Sequence, residues 1–210
     1  SILSNGGKNV FVIEKDQDSI KFLDPLKKSF SSELNVIKAD ALKYPLWNLG
    51  SYPRQIIANL PYNISTKILV KLLKNINKFE KITLMFQKEV ALRLVAKPSQ
   101  KLYGRLSVLT QLLANAKIIF DIPRSAFIPK PKVNSSVVKI VPLKKNPNKF
   151  KFEDIEKITQ LTFSRRRKML RTIFKNYGGI NMLNETGISP NLRPENLTIE
   201  EYCKLAKKIF

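Results

Sequence analysis

The residues with the most chemical potential stand together at 59–62, as Asn59, Leu60, Pro61 and Tyr62. They lie inside the stretch Ile-Ile-Ala-Asn-Leu-Pro-Tyr-Asn-Ile-Ser of residues 56–65. An asparagine amide both accepts and donates hydrogen bonds. Pro61 lacks an N–H and has a fixed φ, which stiffens the loop and leaves backbone carbonyls free to point outward. Tyr62 brings a flat aromatic face. The set suits a planar ring that carries an exocyclic amine, such as adenine. The two amine hydrogens would go to the Asn59 amide oxygen and to the carbonyl of Leu60 or Pro61, with the ring lying on Tyr62. The bland alternative is a strand-ending turn whose Asn59 caps backbone and whose Tyr62 packs.

A second stretch, residues 123–136, reads Pro-Arg-Ser-Ala-Phe-Ile-Pro-Lys-Pro-Lys-Val-Asn-Ser-Ser. Prolines at alternate positions predict an extended segment. Phe127 precedes them, so its ring would be held on a rigid support. A rigid aromatic opposite Tyr62 would complete a clamp on a base; a Phe127 packed into the core is the alternative.

With both stretches in place, the chain resembles the ribosomal RNA adenine N6,N6-dimethyltransferases of the KsgA type, which are related to the Erm resistance methylases. Asn59-Leu60-Pro61-Tyr62 and Phe127-x-Pro129-x-Pro131-x-Val133-x-Ser135 carry the resemblance, which extends over essentially the whole chain. It implies S-adenosylmethionine as cofactor and immature small ribosomal subunits as partner. Asn59, Leu60, Pro61, Tyr62 and Phe127 would then be the catalytic group. Glu14 would bind the cofactor ribose, Asp40 and Ala41 its adenine, and Asn59 would also touch the cofactor.

The elements that must position these residues follow from pattern. Residues 9–14 and 34–38 read as buried strands, ending at Glu14 and just before Asp40. An acid at a strand C-terminus can accept hydrogen bonds from both ribose hydroxyls; an acid beside the next helix's N-terminus is the other reading of Glu14. A helix is expected from about Lys15 to Phe30. Residues 54–58 form the strand before Asn59, and Ser65 is the expected N-cap of the next helix. Strand 80–86, helix 87–96, a basic loop at 97–105, helix 106–115, and strands 117–121 and 136–141 complete an alternating α/β pattern. That pattern predicts a parallel sheet, and the resemblance implies the Rossmann-like methyltransferase fold, with an antiparallel, hairpin-like last pair. Residues 1–142 make this domain, and 143–210 a small all-helical one, joined through a basic linker at Pro142–Lys151.

Composition agrees with a polyanionic partner. Lys and Arg number 38 against 16 Asp and Glu, for a net charge of +22. Arg105, Lys130, Lys132 and the run Arg165, Arg166, Arg167 and Lys168, which is expected at a helix start, are the candidate RNA contacts; a solvated helix face is the alternative for the run. There is no histidine and one cysteine. That removes histidine-based zinc sites and Ser-His or Cys-His nucleophiles, and it fits a reducing, cytoplasmic setting. No metal, no membrane span and a monomer are expected.

A Gly-x-Gly loop after a first strand would be expected against the methionine end of the cofactor. Here only Gly6-Gly7 precede the Glu14 strand. The sequence reads as if it starts downstream of that strand and loop, which predicts an interrupted sheet. Two other functional readings stand beside the small-subunit enzyme: an Erm-like methyltransferase of large-subunit RNA, and a non-catalytic RNA-binding or ribosome-assembly protein. A DNA adenine methyltransferase fits the tetrad but not the Phe127 segment.

Overall fold

The computed structural model describes residues 2–144 and 150–210; the central residues of the expected linker, 145–149, lie outside them. In chain order the elements are β1 (Val10–Glu14), α1 (Gln17–Lys21), α2 (Asp24–Ser29), β2 (Leu34–Lys38), β3 (Gln55–Asn59), α3 (Tyr62–Lys74), β4 (Lys81–Gln87), α4 (Lys88–Val95) and α5 (Arg105–Leu113). Then come β5 (Ala114–Ile122), β6 (Ser135–Pro142), α6 (Phe152–Phe163), α7 (Leu170–Ile173), α8 (Gly179–Glu185) and α9 (Ile199–Ile209).

The strands form two sheets. β1 and β2 pair in parallel, and the larger sheet runs β3-β4-β6-β5. β3 and β4 are parallel, while β6 is antiparallel to both β4 and β5. Among the described residues no ladder joins β1 to β3, so the expected interruption of the sheet is present. This is the α/β arrangement that the alternating pattern predicts, with the antiparallel final pair that the resemblance implies.

Burial explains which strand is central. In β4, Ile82, Leu84 and Phe86 are fully buried and Met85 nearly so, because helices or strands cover it on all sides. Against it lie Ile68, Leu69, Leu72 and Leu73 of α3 and Val108, Leu109 and Leu112 of α5, all buried at helical spacing. The same hydrophobic core continues into α6–α9 through Ile155, Ile158, Leu170, Ile173, Phe174 and Leu205.

Three local expectations change. The helix expected over 15–30 is two short helices, α1 and α2. Pro25, in the first turn of α2, has no N–H to donate to the Lys21 carbonyl, so α1 cannot run on. Ser65 is not an N-cap: α3 starts at Tyr62 with Pro61 as its cap, and buried Ser65 donates to the Tyr62 carbonyl at 3.0 Å. The fixed φ of Pro61 suits a helix entrance, which moves the start upstream. The basic run 165–168 is not the start of a helix either. It occupies the turn between α6 and α7.

Tyr103 holds the helical segment to the rest, and Tyr202 braces that segment internally. Tyr103 donates to the Leu197 carbonyl at 2.9 Å and Tyr202 to the Pro194 carbonyl at 2.8 Å, both at the short 3-10 turn Pro194–Asn196. The Phe163 ring lies between them, edge-on to Tyr103 and stacked on Tyr202. Burial, followed for Tyr103 by the nearby Glu201 charge, pushes both phenols above the ordinary tyrosine value of 10.0. A raised folded-state pKa means the contribution is complete below the unfolded value and is lost as pH climbs above it. Stability is therefore expected to fall as pH rises beyond 10. Urea midpoints measured at pH 8 to 11 should show that fall, and Tyr103→Phe should flatten it while costing about 1 kcal/mol at neutral pH.

Candidate active site

The site is assembled at the C-terminal ends of the parallel strands. Glu14 ends β1, Asp40 follows β2 by two residues, and Asn59 ends β3. In open α/β sheets this rim is where ligands sit. The register explains why the Phe127 segment joins it. Ser135, the first residue of β6, lies opposite Gln87 at the end of β4 and Ile122 at the end of β5. Because β6 runs antiparallel, its beginning meets the parallel strands at their ends.

Each sequence-selected residue can now be placed. Asn59 is exposed, and its side chain makes no hydrogen bond among the described residues. It does not cap backbone, and its amide is uncommitted among the described residues. Of the two candidate carbonyls, that of Pro61 is already engaged, accepting the Ile64 and Ser65 N–H groups at 3.1 Å each. The Leu60 carbonyl accepts nothing among the described residues, which makes it the available acceptor beside Asn59. The Tyr62 hydroxyl lies 2.6 Å from Ser135 Oγ, which brings the two sequence motifs into contact.

Phe127 is half-buried, in extended backbone, after the short turn Arg124–Ala126. It makes no ring contact with Tyr62 or any other aromatic among the described residues. The segment around it is not extended throughout, as its prolines had predicted. It bends into a closed loop because Asn134 Oδ1 accepts the Arg124 N–H at 3.0 Å and draws the two ends together.

The two acids share a pattern. Glu14 Oε1 accepts the N–H groups of Lys15 and Asp16 at 2.7 and 2.9 Å. Asp40 Oδ1 accepts the Leu42 N–H at 2.8 Å. Each carboxylate is thereby fixed by one oxygen, and the other has no partner among the described residues. Glu14 thus caps the turn that follows β1 with one oxygen and keeps the other uncommitted among the described residues. Half-buried Ala41 follows Asp40 at the rim.

Lys71 was not singled out from sequence, yet it holds this turn in place. From α3 its Nζ donates to the Ala41 carbonyl at 2.9 Å and to the Tyr44 carbonyl at 2.5 Å. Desolvation lowers its pKa, opposed by the Asp40 charge. The signal was a lysine in the run Ile-Leu-Val-Lys-Leu-Leu of residues 68–73, where an unpaired charge would be costly.

The basic candidates divide. Lys130, Lys132, Arg165, Arg167 and Lys168 are exposed and form no ion pair among the described residues. Arg166 instead faces inward, bonding Glu195 Oε2 and the Lys101 carbonyl at 2.6 Å each. Arg105 pairs at 3.3 Å with Glu156, which also takes Lys74 at 2.6 Å. Both arginines staple elements together, because each sits where a loop or helix end meets an acid of the helical segment. No cluster of metal-ligating side chains is found among the described residues, and no helix is long and apolar enough to cross a membrane.

Comparison with known proteins decides the family. The model of the ribosomal RNA adenine dimethylase family matches residues 1–210. The chain belongs to the ribosomal RNA adenine dimethylase family. Relatives within it include the ribosomal RNA small subunit methyltransferases A of Paramagnetospirillum magneticum and of the Wolbachia of Drosophila simulans. The first is 40% identical over all of this chain and 75% of its own length. The second is 44% identical over 99% of this chain and 77% of its own length. Among solved structures, a dimethyladenosine transferase from Plasmodium falciparum superposes with a TM-score of 0.79 at 27% identity, covering 96% of this chain and 84% of that one. The 23S rRNA methyltransferase ErmE, at 20% identity and TM-score 0.66, shares the fold.

For this dimethylase-family chain, Lys71→Met is expected to leave the Ala41 and Tyr44 carbonyls without their donor and to cost about 1–3 kcal/mol. Urea denaturation should register the loss, and limited proteolysis at Lys43 should quicken. Unchanged cleavage would mean that the 40–44 turn stands without Lys71.

Proposed function

We propose that this chain is a small-subunit ribosomal RNA adenine N6,N6-dimethyltransferase that uses S-adenosylmethionine and acts in the cytoplasm as a monomer. Residues 1–142 would carry the chemistry, and 143–210 would form a helical RNA-facing unit. The observation that carries this reading is the uncommitted pair of acceptors, the Asn59 amide and the Leu60 carbonyl, beside Tyr62 in a member of the dimethylase family. The names of the relatives favour the small-subunit branch over the Erm-like one.

The residues present fit the nucleoside part of the cofactor. Glu14 and Asp40 are each held by one oxygen and offer a second that has no partner among the described residues, at the ends of neighbouring strands. Glu14 would take the ribose hydroxyls, and Asp40 the adenine amine beside Ala41. When bound, S-adenosylmethionine supplies an electrophilic methyl on its sulfonium sulfur.

An adenine N6 is a poor nucleophile because its lone pair is delocalised into the ring. Asn59 Oδ1 and the Leu60 carbonyl would accept its two hydrogens, drawing the nitrogen toward tetrahedral geometry and freeing the lone pair. Tyr62 and Phe127 would hold the base out of its stack. The work of the protein is then positioning, together with stabilisation of the positive charge that grows on nitrogen. The exposed cations Lys130, Lys132, Arg165, Arg167 and Lys168 would meet phosphate.

The test is transfer of labelled methyl to immature small ribosomal subunits. Label is expected on adenine N6, with large-subunit RNA unlabelled. Asn59→Ala should reduce transfer by more than about tenfold, a step worth ~1.4 kcal/mol. Phe127→Ala should weaken RNA turnover and leave cofactor affinity unchanged. Transfer by Asn59→Ala within tenfold of the parent would remove Asn59 from the mechanism, and RNA binding without any transfer would favour an assembly factor.

A further inference from the structure

We propose that Ser135 is a positioning residue for the reaction, setting the plane of the Tyr62 ring before a base arrives. The inference rests on the reading of Tyr62 as a base-stacking wall.

Ser135 is fully buried, and its backbone is fixed between β4 and β5 in the ladder of β6. Its hydroxyl has one partner among the described residues, the Tyr62 hydroxyl at 2.6 Å, across 73 positions of sequence. Tyr62 is held at its other end as the first residue of α3, where its carbonyl accepts Ser65 Oγ. A half-exposed tyrosine at a helix start would otherwise be free to turn about its side-chain torsions. With both ends fixed, the ring keeps one tilt relative to the sheet rim. Ser135 also follows directly on the loop that carries Phe127, which Asn134 closes on Arg124, so the bond anchors Tyr62 to the strand that starts at the end of that loop.

The neighbouring residue shows that this is more than a buried serine needing a partner. Ser136, equally buried, donates to Asp121 Oδ1 at 2.6 Å, and Asp121 pairs with Lys88 at 2.5 Å. That network braces β5 against β6 and the start of α4, and does not reach Tyr62. Ser135 and Ser136 therefore differ in what they hold while matching in burial, which supplies an internal control.

A wall fixed in advance costs nothing to order in the reactive complex. RNA itself is held by many phosphate contacts. Loss of the Ser135 bond should thus fall on kcat and spare KM. Ser135→Ala and Tyr62→Phe are each expected to lower kcat about tenfold, the scale of one neutral hydrogen bond, with KM for RNA within about twofold. The double variant should be no worse than either single one, because both remove the same bond. Ser136→Ala should lose a comparable amount of thermal stability and keep kcat within about twofold of the parent.

A reading independent of turnover uses a short single-stranded RNA carrying 2-aminopurine in place of adenine. Stacking quenches its fluorescence on binding to the parent protein, and Ser135→Ala should weaken the quench at unchanged affinity. Parental kcat and quench in Ser135→Ala, additive losses in the double variant, or equal damage from Ser136→Ala would each overturn the proposal. Failure of the underlying reading looks different: full methyl transfer by Asn59→Ala, or no quench by the parent protein.

Discussion

The direction of one strand governs the site. β6 enters the sheet between β4 and β5 and runs against β4. Its first residue therefore lies beside the last residue of β4, next to the end of β3. Had β6 been parallel, the loop bearing Phe127 would have emerged at the opposite rim, some 20 Å away for strands of this length. Two stretches separated by more than 60 residues reach one place because a ladder of backbone hydrogen bonds fixes the register. Core burial of Ile140 and Val138 then prevents the ladder from slipping, since a one-residue shift would turn both outward.

Much of this was legible in the sequence for a physical reason. Apolar runs closed by Asn59 or by Glu14 mark strands and their ends together, so element and site are read from the same residues. The strand boundaries fall within a few residues of expectation, whereas the antiparallel final pair came from the family resemblance and not from the strand pattern. What the sequence left hidden were the partners of polar groups. The choice between the Leu60 and Pro61 carbonyls depends on where α3 begins, and that hinges on Pro61 acting as its cap. Lys71 reads as one more basic residue until the 40–44 turn is folded over it.

The basic run teaches the same point about charge. Four consecutive cations at 165–168 look equivalent in sequence, yet Arg166 is drawn inward by Glu195 and the Lys101 carbonyl. One cation of the run is taken up in holding the turn, so the run does not act as a uniform surface. Its neighbours remain exposed. The division is set by the turn between α6 and α7 and by an acid placed almost 30 residues later.

The charge surplus has a colloidal consequence. The excess of cations, +22 over the chain, keeps copies apart. Salt shortens that repulsion to about 8 Å at physiological strength. Apolar side chains that stand in water, such as Ile128 in the loop that carries Phe127 and Phe120 on β5, are then the first places where two copies can meet.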